Sequence, residues 1–95
     1  LMGLTLQPLN DELREQLGLP AGASGLAVLD VDESTEAFEK GLRAGDVITE
    51  AGQEKVTTVA ELEARIEAAR DAGRNTVLLL VRRSGEPRFV AIGVN

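Results

Sequence analysis

Only one stretch of this chain, Thr58 to Gly73, can make a helix of more than two turns, so everything else must fold as short elements around it. Thr58 followed three residues later by Glu61 has the spacing of a capping box. Val59, Leu62, Ile66 and Ala69 recur at intervals of three and four and form one apolar stripe, while Glu61 stands four residues before Arg65. Asp71-Ala72-Gly73 closes the helix. An amphipathic helix of about four turns needs a surface to lie on, and the remaining apolar residues come in short runs that suit strands.

Leu4-Thr5-Leu6 alternates and is interrupted by Pro8. Leu26 to Val31 predicts a second strand, with Leu26, Val28 and Asp30 on one face. Val47 to Glu50 follows, and Val56 marks a very short strand. Thr76 to Val81 is a continuous apolar run, too short for a typical helix and rich enough in Val and Leu for a buried strand. After the hairpin connection Ser84-Gly85-Glu86-Pro87, Phe89 to Ile92 returns as the last strand. Two helices of one to two turns complete the set. Asn10 caps the first, with Leu13 and Leu17 four apart and Gly18 and Pro20 ending it. Ser34 is expected to cap the second, through Thr35 to Lys40, with Gly41 as a left-handed terminator.

A chain of 95 residues holds one compact domain and is too short for two. Phe38 and Phe89 are its only aromatics, so the core must be built from Leu, Val, Ile and Ala. The net charge of −6 repels phosphate backbones, and no basic stripe interleaves with aromatics, so nucleic acid is not an expected partner. Arg82, Arg83 and Arg88 form the one local basic group, read as the solvated end of a hairpin. No run approaches the roughly 20 apolar residues needed to span a bilayer, so membrane insertion is not expected. The chain opens on Leu1, which points to a segment of a longer protein.

Catalysis lacks its usual groups. The chain has no histidine and no cysteine, which removes the commonest general base and the thiolate ligands together. Ser24, Ser34 and Ser84 have no Ser-x-x-Lys partner. Asp30 and Asp32 alternate with apolar neighbours as the solvent face of a strand would, and Glu61 and Glu63 are two apart on a helix, a spacing that separates side chains. Gly41-Leu42-Arg43-Ala44-Gly45-Asp46 is glycine-rich but lacks the Lys-Ser/Thr of a phosphate loop, and reads as a turn. No catalytic residue, metal or cofactor is expected.

The string from Val28 through Ser34-Thr35-Glu36-Ala37-Phe38-Glu39-Lys40-Gly41-Leu42-Arg43-Ala44-Gly45-Asp46-Val47-Ile48 resembles the PDZ pattern: a strand, a short helix, Gly-Leu, a basic residue, Gly-Asp and an aliphatic pair. The order of elements, with Met2-Gly3-Leu4 at the start and Phe89 to Ile92 at the end, resembles the circularly permuted PDZ of bacterial proteases. The tail from Thr76 to Ala91, Leu9 to Arg14 and Ala60-Glu61-Leu62 are similar to the last PDZ domain of HtrA/Do-type (Deg) periplasmic serine endoproteases. Three features depart from the family pattern. The short helix has Phe38 and no Pro, the hairpin is Ala51 to Lys55, and the loop at the head of the first strand opens with Leu1 rather than an aromatic.

The resemblance implies an α+β, mainly β fold: a PDZ-like, five- to six-stranded, partly open β-sandwich or barrel capped by one long and one or two short helices. Residues 1–95 would be a single PDZ domain from the C-terminal end of a larger periplasmic protease, a serine endopeptidase of protein quality control. The domain would be a non-catalytic peptide-binding module that captures C-termini or unfolded segments by β-augmentation between the 4–7 strand and the 58–72 helix. Leu1, Met2, Gly3 and Leu4 would hold the ligand carboxylate, Leu4, Thr5 and Leu6 would pair with its backbone, and Leu62, Ile66 and Ala69 would accept its last side chain. Leu62 and Ile66 suit either the core or that groove wall, and Val59 reads as core. The alternatives are an assembly module that contacts the protease domain and neighbouring subunits, or a PDZ module of another bacterial protease or secretion protein.

Overall fold

The computed structural model describes residues 1–95. Nine elements follow in order: β1 (Leu4–Pro8), α1 (Asp11–Gln16), β2 (Leu26–Val31), α2 (Glu36–Glu39), β3 (Val47–Ala51), β4 (Glu54–Lys55), α3 (Val59–Asp71), β5 (Thr76–Arg83) and β6 (Glu86–Gly93). The result is mainly β, as expected, with six strands in one open antiparallel sheet and three helices. The sheet order is β1-β2-β3-β5-β6, and β4 pairs with β3 outside that path. The path ends at two edges, β1 at one side and β6 at the other, and the two-residue β4 has one unpaired side of its own.

The aliphatic core forms as composition demands. Leu26, Leu42, Ile48, Leu62, Leu79 and Ile92 are its largest fully buried side chains. Each contributes on the order of 1.5–3 kcal/mol by leaving water. α3 forms where its periodicity places it, and its capping box is complete: the Thr58 hydroxyl accepts the Glu61 N–H at 3.1 Å while Glu61 Oε1 accepts the Thr58 N–H at 3.1 Å. The same carboxylate also accepts the Thr57 N–H at 2.8 Å.

Four local expectations need correction. Asp30 does not share a face with Leu26 and Val28. Thr5 pairs with Asp30 but Leu6 pairs with Val28, so Leu29 is an extra residue on β2. That bulge turns Leu29 and Asp30 to solvent and returns Val31 to the core. Thr35, not Ser34, caps α2: its hydroxyl accepts the Phe38 N–H, while the Ser34 hydroxyl and N–H both donate to the Asp32 carboxylate. The short fourth strand is Glu54–Lys55, because the turn at Gly52-Gln53 brings it back on Glu50 and Ala51, and Val56 is instead a fully buried core residue. The Thr76–Val81 run is not buried throughout, since Thr76 and Leu78 lie on the solvent side of the sheet.

The basic group at the hairpin is not simply solvated either. Asp46 is 1% exposed, and its carboxylate accepts the Arg43 N–H at 2.9 Å and both Nε (2.7 Å) and Nη2 (2.9 Å) of Arg83. This fork ties the start of β3 to the end of β5, and the nearby carboxylate raises the Arg83 guanidinium above its ordinary value.

Candidate functional site

The two sheet edges differ in what covers them. At β6, the Lys40 ammonium donates to the Ala91 carbonyl at 2.9 Å and the Gly93 N–H donates to Glu36 Oε1 at 2.8 Å. Both side chains come from α2 or its C-cap, so the short helix occupies the Ala91–Gly93 end of that edge. β1 has no such cover along its length. The Asp32 N–H donates to the Gly3 carbonyl and the Leu9 N–H to the Gly25 carbonyl. By strand alternation the odd-numbered residues of β1 face β2, which leaves the backbone groups of Leu6 open on the other side, while those of Leu4 are engaged with Leu1. Pro8 has no N–H and ends what the edge can offer.

A tight turn stands at the head of β1. Met2 and Gly3 have φ of 55° and 75°, and the Leu4 N–H donates to the Leu1 carbonyl at 2.8 Å. These are the marks of a type I′ turn, which needs positive φ at both central residues. The Leu4 N–H is thus already taken, while the N–H groups of Met2 and Gly3 have no acceptor within the domain. Two successive unpaired N–H groups in a turn attract an anion. Glycine is required at position 3 twice over, for its φ and because a Cβ there would run into Thr35 Cγ2 at the cap of α2.

The nine residues expected at the site do not all come together. Leu1 (44% exposed), Met2 and Gly3 form the turn, and Thr5 stands on the outer face beside Asp30. Leu4, Leu62 and Ile66 belong to the core cluster, with Leu62 fully enclosed and Ile66 7% exposed. Leu6 and Met2 are half-buried and pack on that cluster, and α3 packs on β1. Ala69 belongs to the same core cluster and also lines a cavity that faces β5 and the Gly52-Gln53 turn. Val59, assigned to the core from its spacing, is half-buried and packs on the same cluster as Met2 and Leu6. Its place as the first residue after the Thr58 cap was the available signal, because a helix end is rarely covered on all sides.

Two carboxylates near these elements sit below the usual carboxylate range. Asp32 is lowered by the Ser34 N–H and then its hydroxyl, and Glu61 by the Thr57 N–H and hydroxyl and then by Thr58. Both are locked by their hydrogen bonds as structural anions, which leaves neither as a proton donor near neutral pH. No group of three or more His, Cys, Asp and Glu side chains stands together to hold a metal.

Residues 1–94 match the family described as PDZ domain. The chain belongs to the PDZ domain family. Relatives of this PDZ domain include a probable periplasmic serine endoprotease, DegP-like, from Bartonella henselae, 38% identical over 89 residues covering 90% of this chain and 18% of the relative. The protein of the same description from Brucella suis is 34% identical over 93 residues, covering 98% of this chain and 16% of that one. The chain thus spans less than a fifth of the length of these relatives. Among solved structures, the HtrA-type protease AlgW with a decapeptide matches with a TM-score of 0.75 and 25% identity, over 98% of this chain and 28% of that one. The HtrA3 PDZ domain bound to a phage-derived ligand (FGRWV) shares the fold, with a TM-score of 0.77 at 22% identity over 98% of this chain and 82% of that one. No helix of this PDZ domain is long and apolar enough to cross a membrane.

Proposed function

We propose that this PDZ domain captures the C-terminal end of a polypeptide by adding it as a strand to β1. The observation that carries the reading is a long sheet edge, β1, with two unpaired N–H groups, those of Met2 and Gly3, at its head. A carboxylate beside that turn accepts both N–H groups, and the ligand backbone then runs past Leu4 and pairs with Leu6. Pro8 stops the ladder, so about four ligand residues are engaged at ~3.4 Å each. The last apolar side chain lies on the half-buried surface of Met2, Leu6 and Val59, above Leu4 and Ile66. Burying it contributes about 1.5–3 kcal/mol, and with the strand hydrogen bonds a micromolar complex of about −8 kcal/mol follows.

The proposed setting is a longer periplasmic serine endoprotease, a hydrolase whose catalytic groups lie outside these residues. There the domain presents substrate ends to the protease domain. A second reading draws on a different surface. Phe89 is 64% exposed, and its cross-strand partner Leu80 and the exposed Leu78 share its face of the β5–β6 sheet, a patch suited to assembly with neighbouring subunits.

Titration with short peptides bearing free C-termini, alongside amidated copies, tests the first reading. Micromolar binding that disappears on amidation and weakens with Val59→Glu, at a half-buried position, supports capture at β1. Binding that ignores amidation overturns it. No binding to any peptide, with a mass that rises with concentration and falls again in Phe89→Ser, moves the assignment to assembly.

A further inference from the structure

The domain carries ten Lys and Arg side chains against sixteen acidic ones, so an unpaired cation is conspicuous. Arg14, Lys40, Arg70 and Arg83 are in ion pairs. Arg43 donates to the Phe38 carbonyl and lies 3.6 Å over its ring, Arg82 donates to Gly85, and Arg88 to Lys40. Lys55, Arg65 and Arg74 remain, with neither an ion pair nor a hydrogen bond. Two of those three, Arg65 and Arg74, line one cavity.

That cavity, about 340 Å³, lies between α3, the start of β5 and the Gly52-Gln53 turn. Gln53 and Thr76 add two more polar side chains with no hydrogen-bond partner, and no carboxylate is among the lining residues. The opposite wall is apolar, built from Ala68 and Ala72 with Val77. The volume falls at the lower end of small-ligand sites. Two backbone donors there are already spent, the Gly52 N–H on the Leu78 carbonyl and the Arg74 N–H on the Ala69 carbonyl, which leaves the Gln53 N–H alone. A phosphate site would draw on such N–H groups, whereas a carboxylate needs only the guanidinium forks. The carbonyls of Ala68, Ala69 and Arg70 at the end of α3 also hold donors, which lessens their repulsion of an anion.

We propose that this cavity binds a carboxylate on a short apolar stem, with Arg65 and Arg74 holding the charge and the alanines of α3 taking the stem. The site is separate from the β1 edge and does not rest on peptide capture. Two sources present this chemistry, a free short-chain acid and a glutamate side chain on a polypeptide.

The test follows backbone and arginine Nε–H resonances by NMR during titration with hexanoate, with N-acetyl-glutamate N-methylamide and with hexanol. Saturable shifts at Gln53, Arg74 and Thr76 are expected with either acid at about millimolar affinity, and none with hexanol. Hexanoate binding alone identifies a free acid as ligand, and binding of the glutamate derivative alone identifies a polypeptide side chain. Arg65→Gln and Arg74→Gln should each weaken binding about tenfold, since each removes a charge-assisted pair. Arg88→Gln, which removes an exposed cation at the far end of the β5–β6 hairpin, should leave it within about twofold. Non-saturable shifts with both acids, or affinity unchanged in the two arginine variants, would overturn the assignment.

Discussion

Replacing Asp46 by Asn keeps the volume at the start of β3 and removes only the charge. The wild-type carboxylate is 1% exposed and accepts three hydrogen bonds, from the Arg43 N–H and from two nitrogens of Arg83. An amide offers one acceptor oxygen and turns an NH₂ toward these donors, so at least one bond to the guanidinium is lost and one donor faces another. Breaking a buried ion pair costs about 3–5 kcal/mol. Arg83 is 44% exposed and can recover water, which lowers the expected loss to about 2–3 kcal/mol. For a domain of this size that corresponds to a fall in Tm of about 10–20 °C. Urea denaturation of D46N, R83M and the double variant should show an unchanged m-value and a coupling energy of at least ~1 kcal/mol. Additive single-variant effects, or a loss in D46N below ~0.5 kcal/mol, would refute the view that the fork joins β3 to β5.

Gly3→Ala should cost about 2–3 kcal/mol, combining positive φ with the collision at Thr35, whereas Gly85→Ala, with φ 81° and open space around it, should cost about 1 kcal/mol by urea denaturation. Equal losses would mean that the β1 turn does not press on α2. Leu62→Ala should destabilise by about 2–5 kcal/mol in the same assay, because the side chain is fully enclosed. The folded-state value of Glu61 is depressed, so its contribution is full above the ordinary glutamate range and fades as pH falls through the lower, folded value. Thermal scans across the acidic range should accordingly show a shallower decline for Glu61→Gln than for wild type.

What could be read from the sequence was local. Thr58, Glu61 and the stripe through Leu62 and Ile66 declare α3 because a helix keeps its signals within four residues. Gly41 to Ile48 carries the family pattern for the same reason. The bulge at Leu29 was hidden, since the alternation of Leu26, Val28 and Asp30 is as good on paper as the one the strand adopts, and only pairing with β1 decides between them. Arg83 looked solvated because its partner Asp46 is 37 positions away. Ala69 sits on the stripe with Ile66 and is buried with it, but that it also lines a cavity beside β5 depends on where β5 runs. The state of each sheet edge was equally invisible, because it depends on where α2 comes to rest.

The cover that Glu36 and Lys40 place over β6 limits how copies of this domain can join. A sheet with two free margins can be extended at both and grow into a fibre. With the Ala91–Gly93 end of the β6 margin occupied, a copy cannot pair along the full length of that strand, and strand addition at β1 favours a single event: one peptide, or one second copy facing the first. A domain that exposes a templating strand for its work thereby avoids becoming a monomer of its own polymer, and the safeguard rests on two side chains of a one-turn helix.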